Sequence, residues 1–206
     1  VELHGLDYRG LGLADLGKPE GYARRQVEGW SARYRRARTP DAPEGEDVMQ
    51  WLESHVPPDT DRPAIIHNDF KFDNLVLDPD DPSRIVGVLD WEMSTLGDPA
   101  LDLGCTLGYW VEAADPPELQ LVRTLPTHTP GAMTRREMAA YYTARTGRAI
   151  APFDFYYAFG LFRLAVIAQQ IYYRFFHGQT RDQRFGQLIG AVHVLEQTAR
   201  RVIEAA

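Results

Sequence analysis

The chain has 206 residues, 44% of them hydrophobic and 25% charged, enough for one domain with its own core. Its formal net charge of −7 argues against nucleic acid as a partner. No apolar run approaches the ~20 residues that a bilayer span needs, so no membrane partner is expected. The single cysteine, Cys105, excludes an internal disulfide and a cysteine-only metal site, and in LDLGCTLGYW it reads as a small buried residue. The opening residues do not read as a signal peptide, and together these features fit the cytoplasm. The charge is uneven. Residues 1–130 hold 24 acids and 12 bases, whereas residues 131–206 hold 5 acids and 10 bases, all Arg. The last third therefore either faces an anionic ligand or forms solvated helix faces.

In chain order, Val1 to Gly21 is an irregular segment punctuated by Gly and Pro. Its Gly10-Leu11-Gly12 lacks the third glycine and the preceding strand that a phosphate loop requires. Val27, Trp30 and Tyr34 recur at helical spacing among charges, which predicts an amphipathic helix over Tyr22–Arg38. A Pro-bearing loop follows at Thr39–Glu44. A second helix, Gly45–Val56, is stopped by Pro57 and Pro58. Leu75–Leu77 and Ile85–Leu89 read as short strands joined by the acidic turn Asp78–Ser83. Asp98 then caps a helix that has Pro99 at its first position. The five prolines and glycines of residues 115–131 predict a loop, Thr134 and Glu137 a capping box, and Gly147 the end of that helix. Phe153–Phe176 is a core helix dense in Phe and Tyr, and a last helix runs from about Arg184 to Ala205. The fold expected is mainly α (α+β): a helical body with one small β-hairpin carrying the chemistry.

That chemistry concentrates between Ile65 and Leu103. The run His67-Asn68-Asp69-Phe70-Lys71-Phe72-Asp73-Asn74 has the spacing H-x-D-x-x-x-x-N of kinase catalytic loops, where the Asp accepts the acceptor's proton and the Asn holds Mg2+. Asp90-Trp91-Glu92 falls where the metal-binding D-F-G of kinases would fall, at the end of the following hairpin. A hairpin that leaves Asn74 and returns at Asp90 can bring both side chains to one end, and two oxygen ligands there suit Mg2+. Lys71 stands out because the chain has twenty Arg and two Lys, so a compact cation is wanted at this place. Glu92 reads equally as a contact to a second metal's water shell or as a structural partner. Asp73, Asp78, Asp80 and Asp81 read as solvated turn acids.

On these motifs, with LDWEMSTLGDP and ALDLG, the sequence resembles the C-terminal lobe of an aminoglycoside phosphotransferase-type kinase. Within that superfamily it is most similar to the kinase-like domains related to those fused to acyl-CoA dehydrogenases. LDYRGLGLADLGKPEGYARRQVEGW also looks like that subfamily. The resemblance implies a protein kinase-like fold and an ATP- and Mg2+-dependent transfer of phosphate to a hydroxyl of a small molecule. Asp69 would be the base, Lys71 would meet the transferred phosphoryl group, and Asn74 and Asp90 would be the metal ligands. His67 and Asp102 would support the loop, His67 by packing beneath the metal-binding segment and Asp102 by accepting backbone N–H groups.

A complete kinase of this kind also has an N-terminal lobe with a phosphate loop and a strand Lys, and nothing in residues 1–206 matches them. The chain is therefore read as a fragment, inactive or nearly so alone, that could self-associate through the surface the missing lobe would cover. The alternatives weighed are a non-catalytic kinase-like binding domain, a kinase of aminoglycosides or other small molecules, and a metal-dependent hydrolase. The last would need further His or acidic ligands that the sequence does not offer.

Overall fold

The computed structural model describes residues 1–206. Its helices are α1 (Tyr22–Ala37), α2 (Glu46–Ser54), α3 (Pro99–Gly108), α4 (Pro117–Leu121), α5 (Arg135–Thr146), α6 (Phe153–Phe176) and α7 (Leu188–Glu204). Four short strands, β1 (Ala64–Ile66), β2 (Leu75–Leu77), β3 (Ile85–Val88) and β4 (Thr95–Gly97), lie between α2 and α3. No helix is long and apolar enough to cross a membrane.

The core is built around α6, which is ~36 Å long at 1.5 Å per residue. It buries Phe155, Phe159, Leu161, Phe162 and Val166 among Trp30 and Tyr34 of α1, Leu101 and Cys105 of α3, and Val192 and Leu195 of α7. Burial pushes the Cys105 thiol up to about 11, so it is a packing residue rather than a nucleophile. The close approach of α3 and α6 depends on glycine at three crossing positions. A Cβ on Gly160 would lie 2.0 Å from the Gly104 carbonyl oxygen, and one on Gly108 would lie 2.7 Å from Gly160.

The mainly helical architecture expected from the sequence is the one observed, and the local stop and start signals act where they were read. The Asp98 carboxylate accepts from the Ala100 amide at 2.9 Å with Pro99 at the first helical position, the Thr134–Glu137 capping box is complete, and Gly147 ends α5 in the left-handed region. Three features differ. The segment 115–131 is not all loop, because Pro117 opens the single turn α4, which buries Leu119. The last α-helix starts at Leu188, since Asp182 caps a separate 3₁₀ turn over Gln183–Gln187 whose Gly186 lies against the Phe175 ring. Strands β1 and β4 form a second antiparallel pair, with Ile65 opposite Leu96, beside the expected hairpin of β2 and β3. Unlike β2 and β3, these two short strands have no turn joining them, so nothing local marks them as a pair.

Candidate active site

The loop His67–Asn74 leaves β1 and enters β2, and α3 lies behind it. One stripe of α3 holds the loop in place. Asp102 Oδ2 accepts from the His67 amide at 3.0 Å and Oδ1 from the Asn68 amide at 2.6 Å. One turn on, the Thr106 hydroxyl donates to the Phe70 carbonyl at 2.9 Å. A further turn on, the Tyr109 hydroxyl faces Asp69 Oδ1 at 3.4 Å. Positions 102 and 106 share one face of α3, and Tyr109, the residue that caps its C-terminus in helical conformation, continues that face, so one element holds the loop at several points.

Asp102 has a third partner that sequence reasoning missed. His4, in a short 3₁₀ turn near the N-terminus, donates from Nε2 to Asp102 Oδ2 at 2.9 Å, and its Nδ1 meets the Tyr142 hydroxyl at 2.8 Å. Burial by itself would raise the Asp102 carboxyl. The hydrogen bond and charge of His4, with the two loop amides, outweigh burial and hold it below the usual carboxylate range.

His67 is fully buried, with both ring nitrogens on the backbone. The Asp69 amide donates to Nδ1 at 3.2 Å, which leaves the proton on Nε2, donated to the Leu89 carbonyl at 2.9 Å. The ring also packs 4.7 Å from Trp91. It ties the catalytic loop to the end of the hairpin and has no nitrogen left for proton transfer. Asn68 sits in the left-handed region (φ 66°), held there by hydrogen bonds from Tyr22 and to the Met93 carbonyl, both at 2.9 Å. Such a conformation in a non-glycine residue is kept where the surroundings over-determine it.

On this frame Asp69, Lys71 and Asn74 come together. Lys71 Nζ lies 2.6 Å from Asp69 Oδ2 and over the Tyr109 ring at 5.1 Å. Asn74 Nδ2 donates to the Asp69 carbonyl at 2.8 Å and to Oδ2 at 3.1 Å, which turns its amide oxygen away from Asp69. The Leu89 amide donates to the Asn74 carbonyl at 2.8 Å, so Asp90 begins one residue beyond that bond, at the Asn74 end of the hairpin. Asp90 is itself left-handed (φ 67°) and exposed, and its carboxylate makes no hydrogen bond within the protein. Glu92 is exposed on the next 3₁₀ turn and has no polar partner. The structure thus gathers Asp69, Lys71 and Asn74 in direct contact, joins His67 and Asp102 beneath them, and leaves Asp90 and Glu92 apart in side-chain contact.

The donors fit Mg2+. One amide oxygen and one carboxylate at the hairpin end are hard donors, and such a pair would leave most of an octahedral shell to phosphate and water. No group of three His, Cys, Asp or Glu side chains is placed to build a full protein cage.

Sequence reasoning also missed Arg163. This α6 residue is only 2% exposed and donates to nothing better than the Met93 sulfur at 3.5 Å. Burial works against its charge, but Cys105, Tyr109 and Asp69 around it outweigh burial and keep it charged. The only signal in the sequence was an Arg inside an apolar helix.

A catalytic loop braced by a buried Asp on a following helix, with a hairpin returning an Asp to the loop's end, defines a protein kinase-like phosphotransferase scaffold. The chain belongs to the phosphotransferase enzyme family (APH), whose profile matches residues 1–141. It is 37% identical over 193 residues to mouse acyl-CoA dehydrogenase family member 10, covering 90% of this chain and 18% of that protein. Chicken acyl-CoA dehydrogenase family member 11 is 33% identical, over 86% of this chain and 23% of the relative. The chain therefore spans about a fifth of the length of these relatives. Among solved structures, a Ralstonia eutropha protein assigned to the aminoglycoside phosphotransferases superposes with a TM-score of 0.85 at 33% identity, over 99% of this chain and 62% of its own. A thermostable mutant of aminoglycoside phosphotransferase APH(4)-Ia shares the fold at a TM-score of 0.51 and 13% identity, over 89% of this chain and 53% of its own.

Proposed function

We propose that these residues form the catalytic-loop lobe of a kinase that moves the γ-phosphoryl group of ATP to a hydroxyl of a small molecule, completed by an N-terminal nucleotide-binding lobe. The observation that carries this reading is the Asp69 carboxylate, set among Lys71, Asn74 and Tyr109 on a loop fixed by Asp102.

Asp69 holds the acceptor hydroxyl in line with the γ-phosphorus and takes its proton as the new P–O bond forms and the bond to the leaving ADP oxygen breaks. Lys71 turns from Asp69 to the transferred group and offsets its charge. Asn74 and Asp90 would hold Mg2+, which when bound neutralises phosphate charge. Tyr109 and Asp102 act through Asp69 and the loop backbone, and are positioning residues. Glu92 stays at the rim of the metal end.

The acceptor proposed is a hydroxyacyl-CoA-like compound. The names of the relatives support the acyl class. The C-terminal third, with ten Arg against five acids, disfavours a polycationic aminoglycoside. We also propose that residues 1–206 alone are close to inactive and can self-associate through the hairpin surface.

The experiment is transfer from labelled ATP, with Mg2+ and candidate acceptors, by a longer version that includes the N-terminal lobe. Asp69→Ala is expected to lower turnover by about 10²–10⁴-fold while ATP affinity changes little. Turnover within a few-fold of the parent removes Asp69 from the mechanism, and binding without transfer in the parent makes the chain a non-catalytic domain.

A further inference from the structure

A groove of about 600 Å3 runs between α1 and α6, lined by nine residues that include Arg33, Arg36 and Arg174 and no carboxylate. None of these three arginines forms an ion pair, whereas their neighbours Arg35 and Arg38 face Glu46 and Glu44. Arg33 and Arg36 are three residues apart on α1, and Gln170 and Arg174 are four apart on α6, so each pair shares the helix face that forms its wall. In a chain of net charge −7, three unpaired guanidinia in one concavity focus a positive potential on it. The amides of Gln170 and Gln179 and the ring of Tyr173 add neutral donors and a flat face.

A second observation connects this groove to the catalytic loop. The buried Trp30 ring carries two guanidinia, that of Arg33 at 4.5 Å and that of Arg163 at 5.0 Å. Arg163 is the buried cation in the field of Asp69 and Tyr109. The track between the interior and the groove is thus two guanidinia on one indole, Arg163 buried within α6 and Arg33 at the groove. Along α6, Arg163 and Arg174 are roughly 16 Å apart at 1.5 Å per residue. Nothing in the transfer chemistry assigned to the loop uses this track.

We propose that the α1–α6 groove binds the phosphorylated, nucleotide-like tail of the acceptor and holds it while the hydroxyl end reaches Asp69. Several guanidinium forks suit phosphate oxygens, and the volume suits an organic phosphate rather than a bare ion. The purpose assigned to the groove rests on the kinase reading, but its binding needs neither ATP nor Mg2+.

Calorimetry with adenosine 3′,5′-bisphosphate, in the absence of ATP and Mg2+, tests it against inorganic phosphate. The bisphosphate is expected to bind at least about tenfold more tightly than phosphate, and more weakly as salt rises. The triple variant Arg33→Glu, Arg36→Glu, Arg174→Glu is expected to lose at least about tenfold in affinity with its unfolding midpoint unchanged. The milder Arg36→Gln, Arg174→Gln pair should move the same way and covers the case of a poorly folded triple variant. Equal affinity for the two anions, or undiminished binding by both variants, overturns the proposal. Phosphoryl transfer by a parent that does not bind the bisphosphate removes the groove and leaves the kinase reading standing. Bisphosphate binding lost in the variants of a protein that transfers no phosphate supports the groove and removes the kinase reading.

Discussion

Asp102 concentrates more of the site's order than any residue that would touch substrate. Its two oxygens accept two consecutive loop amides and the His4 imidazole, so a single carboxylate joins β1, the loop, α3 and the N-terminal segment. Asp102→Asn keeps the shape but turns an N–H towards groups that already donate. A buried donor left facing donors is expected to cost roughly 3 kcal/mol of stability and to loosen the loop. The pH dependence has a definite sign. A carboxyl held below its unfolded value contributes its full stability above that value, about 4, and loses it as pH falls through the lower folded value. Asp98 runs the other way. Burial, against the Ala100 amide and the Tyr156 hydroxyl, raises its carboxyl, so its ionisation weakens the fold as pH rises through that range. Denaturant titrations of parent and Asp102→Asn at about pH 3 and about pH 6 separate the two: the difference between the proteins should shrink at the acid end. A constant difference would mean that Asp102 is not ionised in the folded protein. Of this hub the sequence shows Asp102 and the loop, through the H-x-D-x-x-x-x-N spacing and the helix start at Asp98-Pro99. It does not show His4, whose partner lies 98 residues away and whose neighbours carry no pattern.

At the scale of elements, α3 is the part that turns packing into chemistry. One face places Asp102, Thr106 and Tyr109 along the loop, and the opposite side sinks Gly104 and Gly108 against Gly160 of α6. The Tyr156 hydroxyl, also from α6, donates to Asp98 at 3.1 Å and fixes the start of α3. A methyl group at Gly160 would meet backbone rather than a mobile side chain, so the helices would have to separate. Gly160→Ala is expected to cost about 3 kcal/mol, the upper end of ordinary overpacking. In a domain of this size that is a fall in Tm of roughly 6–12 °C by calorimetry. A loss of less than about 1 kcal/mol would show that the α3–α6 contact is soft. The elements legible in the sequence are those with local signals: α3 from Asp98-Pro99, α5 from Thr134, Glu137 and Gly147, and α6 from its density of Phe and Tyr. The β1–β4 pair was not legible, because Ile65 and Leu96 are joined by tertiary placement and not by any turn between them. The tight crossing of α3 on α6 was hidden for a similar reason, since Gly104 and Gly160 carry meaning only once they face each other.

For the molecule as a whole, the exposed apolar surface is unevenly spread. Phe72, Val76, Leu77, Ile85, Val86, Leu89, Trp91 and Met93 are all about two-fifths exposed or more, and all belong to the hairpin or its two ends. On the helices only Leu121, Tyr141 and Phe176 are comparably exposed, and they lie on three different helices. Contiguous patches beyond roughly a few hundred Å2 are uncommon on stable monomers and mark surfaces that are covered. In kinase-like folds this floor is roofed by the lobe that brings the phosphate loop and the strand Lys. On the proposed reading Asn74 and Asp90 would not stand in for those groups, because Mg2+ draws most of its ligands from phosphate and water and is itself recruited by them. Residues 1–206 alone are therefore expected to bind MgATP with a Kd on the order of 1 mM or weaker, about −4 kcal/mol. They are also expected to associate through the hairpin as concentration rises. Calorimetry with MgATP and light scattering over a concentration series check the two parts. Ile85→Lys with Val86→Lys should abolish the association without changing the weak MgATP signal, since both side chains lie on the exposed strand and neither is a metal ligand. Micromolar MgATP binding by a clean monomer would mean that the loop and hairpin form a nucleotide site without a roof, and the exposed strand would then need another explanation.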